Sequence, residues 1–246
     1  MKKYIIKNDL PKLDRNVACI GYFDGVHRGH QALIRVSKDL ANMSDLKSMV
    51  ICFEPDPGDI INKRKNKHIL SFEDRLSSFE ALSVDIVCVI KFDEKLMKLS
   101  PEQFIKKYLL KLNIDTLVCG FDFNFAYQGK GNSAILSEYI NTVVVEEVSL
   151  YSKKISSTRI RQEIVKGNFK LANRLLDYKY SLVCKVKNCE KNKSSYLCEC
   201  VLKDKSLLLP ERYHDRNIDI ADGKITVKSK NELSKDDCIV LVFEDE

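Results

Sequence analysis

The sequence predicts an α/β fold: a doubly wound parallel sheet followed by a small antiparallel β domain. Short apolar, β-rich runs recur roughly every thirty residues in the first 180 residues, and helix-period segments lie between them. Beyond Tyr180 the remaining apolar runs are strand-like, without a convincing helix. Alternation of strand and helix favours a parallel sheet covered by helices, whereas consecutive strands favour an antiparallel sheet or barrel.

The expected strands of the parallel sheet are rich in Val, Ile and Cys. They cover residues 17–23, 49–53, 85–92, 116–120 and 143–148. Helix-start signals separate them. Ser100, Pro101 and Gln103 form a predicted capping box, and Ser71 with Asp74 marks another helix start.

Two further helices are expected before the change of pattern near residue 180. The first begins near Ser156 and Ser157 and stops at Gly167, and the second covers residues 169–176. We therefore expect one domain over residues 1–180 and a small β-rich domain over residues 181–246.

The composition is that of an ordinary soluble globular protein, with 44% hydrophobic and 31% charged residues. The net charge of +6 comes from scattered lysines, which favours a solvated surface over a nucleic-acid groove and is compatible with a small polyanionic substrate. No apolar run approaches the ~20 residues of a membrane helix. The first residues lack a secretory core, so we expect no membrane partner and a cytoplasmic location.

Nine cysteines raise the question of disulfides or zinc. Cys19, Cys52, Cys88 and Cys119 lie among aliphatic residues, which is typical of buried thiols that act as small hydrophobes. The pair in Cys198-Glu-Cys200 lacks the two CxxC elements of a structural zinc site. Metal binding through cysteine is therefore not expected.

The segment "GYFDGVHRGH" begins at the end of the first predicted strand of the sheet and leads into an amphipathic helix. Gly21 and Gly25 allow a sharp turn and close approach to a ligand. His27 and His30 are three residues apart, a spacing that can direct both imidazoles to one point. Two polar histidines in a surface turn are the alternative, but a pair at this position favours binding of phosphate oxygens.

A second segment, "ISSTRIR", has the composition of an anion-binding helix start. Ser156, Ser157 and Thr158 supply hydroxyl groups, and Arg159 and Arg161 follow in the first turns. Serines at a helix start also serve as simple N-caps. In combination with the histidine segment, phosphate binding is the better interpretation.

The segments "GYFDGVHRGHQ", "FEPDP", "CGFDFNFAYQGKGN" and "ISSTRIR" occur in the order and spacing of the bacterial FAD synthetases. Over roughly residues 14–180 the chain resembles this family, whose members are usually bifunctional riboflavin kinase/FMN adenylyltransferases. The first and last segments are typical of the wider HxGH nucleotidyltransferases, which have a Rossmann-like sheet. The third is specific to the flavin branch.

The resemblance implies transfer of AMP from ATP to FMN with Mg²⁺, and it implies roles for individual residues. The implied catalytic residues are His27, His30 and Arg161. The implied ATP-binding residues are Gly21, Tyr22, Phe23, Asp24, Gly25, Gly29, Ser157 and Thr158. The implied flavin- or nucleotide-binding residues are Gly120, Asp122, Phe123 and Phe125. No ligand of the metal ion is assigned.

The chain departs from the family pattern in three places. Asp56 replaces a usual histidine, and its carboxylate would repel a triphosphate unless Mg²⁺ lies between them. Ala126 replaces a usual glycine, where its methyl group narrows the pocket or disfavours a positive φ. The C-terminal part has no Pro-Thr pair and no glycine between Asn168 and Asp222, so the kinase motifs of bifunctional relatives are missing.

The expected activity is thus FMN adenylyltransferase without riboflavin kinase, acting on small molecules. Two alternatives stay open: a nucleotidyltransferase with another phosphorylated acceptor, and a non-catalytic flavin- or nucleotide-binding regulator. A homo-oligomer is possible, and the sequence does not indicate what the C-terminal domain does.

Overall fold

The computed structural model describes residues 1–7 and 9–244, which form two compact units. The first unit comprises residues 1–66 and 72–154, and the second comprises residues 67–71 and the chain from residue 155 onward. The helices expected between residues 156 and 176 thus belong to the second unit. The assignment of residues 1–180 to one domain stays a prediction.

A six-stranded parallel sheet forms the centre of the first unit. Its strands are β1 (Lys2–Ile6), β2 (Asn16–Ile20), β3 (Lys47–Glu54), β4 (Ile86–Lys91), β5 (Ile114–Gly120) and β6 (Asn141–Val145). They lie in the order β1-β4-β3-β2-β5-β6, and every neighbouring pair is parallel. This confirms the predicted fold class. Strand β1 was not predicted, because an edge strand of mostly exposed residues lacks a long apolar run.

The direction of winding reverses at β2. The chain continues from β2 to β3 and β4 on one side, and β5 and β6 follow on the other. In sheets of this class, ligands bind beyond the carboxyl ends of the strands at such a switch point. The loops that leave β2 and β5 begin at Gly21 and Phe121, so both lie at this crevice. We call it the switch crevice.

Short helices and one long helix connect the strands of the first unit. They are α1 (Arg28–Met43), α2 (Pro57–Ile61), α3 (Phe72–Ala81), α4 (Glu94–Met97), α5 (Pro101–Phe104) and α6 (Ser133–Ser137). A π turn over Ile105–Leu109 and a 3-10 turn over Leu110–Leu112 extend α5, and another 3-10 turn covers Tyr127–Gly129. A small hairpin, β7 (Ser149–Leu150) and β8 (Lys153–Lys154), ends this unit.

Two local predictions in this unit are confirmed. Ser100 Oγ accepts from the Gln103 N–H at 3.2 Å and the Gln103 side chain accepts from the Ser100 N–H at 2.9 Å, which is the expected capping box. The four strand cysteines are completely buried. Burial raises the pKa of three of these thiols to about 12, so they remain protonated and pack as apolar groups.

The second unit has two helices followed by an antiparallel sheet. These elements are α7 (Ser157–Val165), α8 (Phe169–Leu176), β9 (Ser181–Asn192), β10 (Ser195–Leu202), β11 (Arg212–His214), β12 (Ile218–Ala221), β13 (Lys224–Ser229) and β14 (Cys238–Val242). The strand order is β11-β12-β13-β10-β9-β14, which confirms the expected C-terminal β region. The aromatic rings of Phe169, Tyr180 and Phe243 stack in its core.

Two features of the whole described chain bear on the sequence expectations. Cys189 and Cys198 form a disulfide between β9 and β10, a pairing that depends on strand register and was not predicted. Within residues 1–7 and 9–244, no helix has the length and apolar character needed to span a bilayer.

Candidate functional site

A buried aromatic anchor shapes the loop between β2 and α1. Phe23 has a positive φ of +63° and Gly25 one of +80°, so the chain makes a sharp turn before the helix. The Phe23 ring is fully buried and meets Phe79 edge-on at 5.5 Å. A Cβ atom on Gly21 would lie 3.2 Å from this ring, which explains the glycine. Any contact of Phe23 with a nucleotide would therefore involve its backbone.

His27 and His30 stack on one another at the start of α1. Their ring centroids are 3.7 Å apart and the ring planes differ by 14°. His27 is the N-cap of α1, and its Nδ1 accepts from the His30 N–H at 3.3 Å. The predicted pair thus lies side by side, with Gly29 between the two residues in the first turn. The N–H groups and positive dipole end of α1 face the same end of the sheet.

Both imidazoles are neutral at pH 7. Burial lowers the pKa of His27 to about 4, and the charge of Lys154 acts in the same direction. Burial, together with the charges of His27 and Arg75, lowers the pKa of His30 well below its usual value. Because His27 Nδ1 accepts a hydrogen bond, its proton resides on Nε2, which leaves an N–H donor on the other side of the ring.

His30 carries an unsatisfied polar atom. Its Nδ1 is buried and has no hydrogen-bond partner among residues 1–7 and 9–244. An unsatisfied buried polar atom costs about 1–3 kcal/mol, so native proteins keep few of them, often at functional sites.

Arg75 of α3 is a member of the site that the sequence reasoning missed. Its side chain is only 2% exposed, and it donates to the Tyr22 carbonyl at 2.7 Å and to Glu54 Oε2 at 2.8 Å. The guanidinium also lies 4.3 Å from the centroid of the Tyr22 ring. Arg75 precedes Phe79 by four residues, so helical spacing places both on the buried face of α3 and was the available signal.

The charges of several acidic residues act on Tyr22 beside this arginine. Burial raises the pKa of the Tyr22 phenol, Arg75 opposes the rise, and the charges of Asp56 and Asp24 add to it. Tyr22 therefore stays protonated. Asp24 is buried, and Asp56 caps α2 by accepting from the Gly58 N–H at 2.8 Å. The carboxylate that replaces the family histidine thus has a local structural role as an N-cap.

The loop after β5 places Phe121 on the surface and Phe125 in the core. Phe121 is 45% exposed, whereas Phe125 is 8% exposed and stacks on Phe123 with 5.6 Å between ring centroids. Phe125 and Gly131 exchange two backbone hydrogen bonds, and a Cβ on Gly131 would lie 2.6 Å from the Phe125 ring. Phe125 therefore fixes the shape of this loop, and its contact with a flavin stays a prediction.

Lys154 is a second residue that the sequence reasoning missed. Its ammonium pairs with Asp122, which lies two residues after Gly120 at the end of β5. The ammonium also lies 4.7 Å from the centroid of the Phe121 ring. The sequence signal was two lysines immediately before "ISSTRIR". Lys154 thus adds a positive charge beside the loop after β5.

The predicted anion-binding helix start belongs to the second unit. Ser156 Oγ accepts from the Arg159 N–H at 3.3 Å, so this serine is the N-cap of α7. Ser157 and Thr158 lie in the first turn, and Arg161 follows within α7. The N-cap interpretation holds for Ser156, and anion binding by the other three residues stays a prediction.

Comparison with known proteins identifies relatives over the first two thirds of the chain. The family model for FAD synthetase matches residues 10–159. A "Bifunctional riboflavin kinase/FMN adenylyltransferase" of Listeria monocytogenes is 35% identical over 171 residues, which are 67% of this chain and 54% of the relative. One of the same name from Bacillus subtilis is 36% identical over 183 residues, which are 72% of this chain and 57% of the relative.

The matched segments span about half the length of these curated relatives. A crystal structure of a protein named "Macrolide-efflux Protein" from Streptococcus pneumoniae has a TM-score of 0.84 at 24% identity, and covers 99% of this chain and 89% of its own. At this identity the likeness shows a shared fold alone. The family match extends over more than half of the chain and includes the histidine segment and the loop after β5. The chain belongs to the FAD synthetase family.

Proposed function

We propose that the chain is an FMN adenylyltransferase, which transfers AMP from ATP to FMN and releases pyrophosphate. The observation that carries the proposal is the stacked, neutral histidine pair at the start of α1, at the switch crevice beside the loop after β5. Family membership and the printed names of the relatives support the same reaction.

In this proposal a phosphate oxygen of FMN attacks the α-phosphorus of ATP in line with the leaving pyrophosphate. The Nε2–H of neutral His27 and the first N–H groups of α1 donate to phosphate oxygens, where negative charge develops. His30, which stacks on His27, also contacts the ATP phosphates, as the resemblance implies. Positioning and charge neutralisation account for most of such an acceleration, so no covalent enzyme intermediate is required.

The remaining site residues take the roles that the resemblance assigns. The turn from Gly21 to Gly25 approaches the nucleotide closely because its backbone is held by the buried Phe23 ring. Ser157, Thr158 and Arg161 hold the β- and γ-phosphates. Hydroxyl groups, free N–H groups of a helix start and a guanidinium suit a polyanion.

Mg²⁺ accompanies ATP in this proposal. It prefers oxygen ligands and usually binds through one or two carboxylates together with substrate phosphates. The Asp56 carboxylate, which would otherwise repel the triphosphate, is a donor of this chemistry and would hold the ion. When bound, the ion neutralises charge on the triphosphate.

We also infer that the chain lacks riboflavin kinase activity. The relatives' kinase depends on a glycine-rich segment that leads into Pro-Thr-Ala-Asn. Here residues 168–222, which include strands β9 to β12, contain no glycine, and Thr226 is the only threonine after Thr158. The threonine and asparagine that hold the metal-bound nucleotide in the relatives have no counterpart.

The test is a product assay with purified protein, ATP and Mg²⁺, and with FMN, riboflavin or phosphopantetheine as acceptor. We expect FAD and pyrophosphate with FMN, and neither FMN nor FAD with riboflavin. His30→Ala should lower FAD formation at least 100-fold with an unchanged circular dichroism spectrum. Pyrophosphate release with phosphopantetheine but no FAD from FMN would reject the assignment.

A further inference from the structure

Strand β14 is an apolar edge strand of the antiparallel sheet. Its sequence, "CIVLV", contains no charged residue and no proline, and its pairing with β9 is regular. Val240 is 63% exposed and Val242 is 39% exposed. Proteins usually protect a free edge with short strands, charges, prolines or bulges. At the other edge of this sheet, β11 has only three residues and carries Arg212 and His214. The edge at β11 is thus protected, and the edge at β14 is not.

Alternate residues of β14 direct their backbone groups away from β9. Phe243, directly after the strand, donates its N–H to the Tyr180 carbonyl at 3.0 Å and continues the pairing with β9. In an antiparallel pair, hydrogen-bonded residues alternate with residues whose N–H and C=O point the other way. The residues one, three and five positions before Phe243 therefore present these groups at the free edge: Val242, Val240 and Cys238. No strand of residues 1–7 and 9–244 pairs with that edge.

A groove runs along the free edge of β14. One cavity of about 450 Å³ is lined by Ile239, Val240 and Leu241, and on its other wall by the start of β12 and the end of β13. Because three consecutive strand residues border it, this cavity lies at the edge of β14 and not on one face. A second cavity of about 320 Å³ borders Val242 and shares the buried Ile218 with the first. The two cavities together border most of the strand.

The charged residues of this groove favour a negatively charged occupant. They are Asp215, Arg216, Lys228, Lys230 and Glu244. Both carboxylates are already engaged. Asp215 accepts from two backbone N–H groups, at 2.7 and 2.6 Å, and Glu244 pairs with Lys179. The three cations form no ion pair within the part of the chain that the structure describes. The groove therefore carries positive charge that a partner can neutralise.

We propose that this groove binds an extended, acidic segment of a partner protein, which adds a strand to β14. The main chain of the segment pairs with the outward N–H and C=O groups of Val240 and Val242. Its alternate apolar side chains contact the apolar wall at Ile218, and its acidic side chains pair with Lys228 and Lys230. The inference goes beyond adenylyl transfer and does not depend on it.

Charge disfavours a second copy of β14 as the occupant. In antiparallel pairing of two such strands about Val240, Asp236 of one copy lies opposite Glu244 of the other. Like charges directly opposite one another destabilise a strand pair. An acidic segment of another protein that meets the lysines of the opposite wall has no such conflict.

The test uses a blocked nine-residue peptide, with alternating valine and threonine in its centre and two glutamates at each end. Calorimetry with the full chain should show binding in the micromolar range. A peptide with lysines in place of the glutamates should bind at least about 10-fold more weakly, because the groove repels it. A glutamate peptide with a central proline should lose binding to a similar extent, since proline has no N–H to pair with β14.

Two pairs of variants test the groove itself. Val240→Pro removes an outward N–H and leaves the ladder with β9 in place, so it should weaken binding of the glutamate peptide at least about 10-fold. Val240→Thr keeps the N–H and should stay within about three-fold of the unaltered chain. Lys228→Glu should also weaken binding about 10-fold. Lys224→Glu, at the opposite end of β13, is its charge-matched control and should bind normally. Circular dichroism checks the fold of each variant.

The proposal is wrong if the glutamate peptide does not bind, or if the lysine peptide binds equally well. Equal binding by Val240→Pro would also overturn it. A dimer in sedimentation equilibrium that Val240→Pro abolishes would overturn it too, because a second copy would then occupy the edge. If Val240→Pro does not fold, the comparison of Lys228→Glu with Lys224→Glu decides, and equal binding by these two variants rejects the groove.

Discussion

Arg75 places a positive charge inside the protein at the carboxyl end of the sheet. Its two hydrogen bonds tie the loop after β2, through the Tyr22 carbonyl, to the end of β3 through Glu54. A buried ion pair is costly to break from one side, because the remaining charge is left without a partner. The residue that positions this loop is therefore also a stability determinant.

We expect Arg75→Met to lower the free energy of unfolding by about 3 kcal/mol, because it leaves Glu54 and the Tyr22 carbonyl unpaired. Arg75→Lys retains the charge but cannot make both contacts, so about half of that loss is expected. Urea titrations followed by circular dichroism measure both values. Glu54→Gln is the control, since its side-chain oxygen still accepts from Arg75. A stability of Arg75→Met equal to that of the unaltered chain would show that the guanidinium does not tie the loop.

The loop between β5 and α6 contains an unfavourable backbone conformation at Ala126. Ala126 has φ +62° and ψ −166°, a region that is almost restricted to glycine. The family usually has glycine here. An alanine at this position was expected to conflict with a positive φ, and Ala126 does have a positive φ. The neighbouring contact between Phe125 and Gly131 holds the chain in this conformation.

Ala126→Gly should therefore raise the free energy of unfolding by about 1 kcal/mol, because relief of strain exceeds the entropy lost by glycine. Ala134→Gly is the matched control. Ala134 lies in α6, where the same change is expected to lower stability by about 1 kcal/mol. Thermal unfolding of the two variants decides the matter. A loss of stability in both would mean that Ala126 is not strained.

Burial of two histidines makes the stability of the whole molecule depend on pH. In the unfolded chain His27 has a pKa near 6.5, whereas in the folded chain burial lowers it to about 4. Between these values the unfolded state binds more protons than the folded state. Stability is therefore complete above pH 6.5 and falls as the pH decreases towards 4.

The expected loss from His27 alone is about 2 kcal/mol between pH 7 and pH 4.5. His30 acts in the same direction, since its pKa is lowered as well. Denaturant titrations at these two pH values measure the difference. In the double variant His27→Gln, His30→Gln the pH dependence in this range should be smaller by at least that amount. If the double variant keeps the pH dependence of the unaltered chain, groups other than these two histidines cause it.

Local patterns in the sequence were sufficient for most strands of the parallel sheet and for placing the histidine pair at a helix start. The capping box at Ser100 and the burial of the strand cysteines depend on neighbours within a few residues, so they could be predicted. The histidine spacing places both rings on one side of a helix start for the same reason. Strand β1 was missed because pairing at a sheet edge depends on a distant strand.

The sequence alone determined the alternation of strands and helices and the loop with His27 and His30. It also determined the resemblance of four segments to those of the FAD synthetases. Only the tertiary structure decided which distant charged residues contact the loops after β2 and β5. Arg75 is 53 residues from Tyr22, and Lys154 is 32 residues from Asp122. No local spacing encodes such contacts, because strand order and helix packing bring the residues together after the chain has folded.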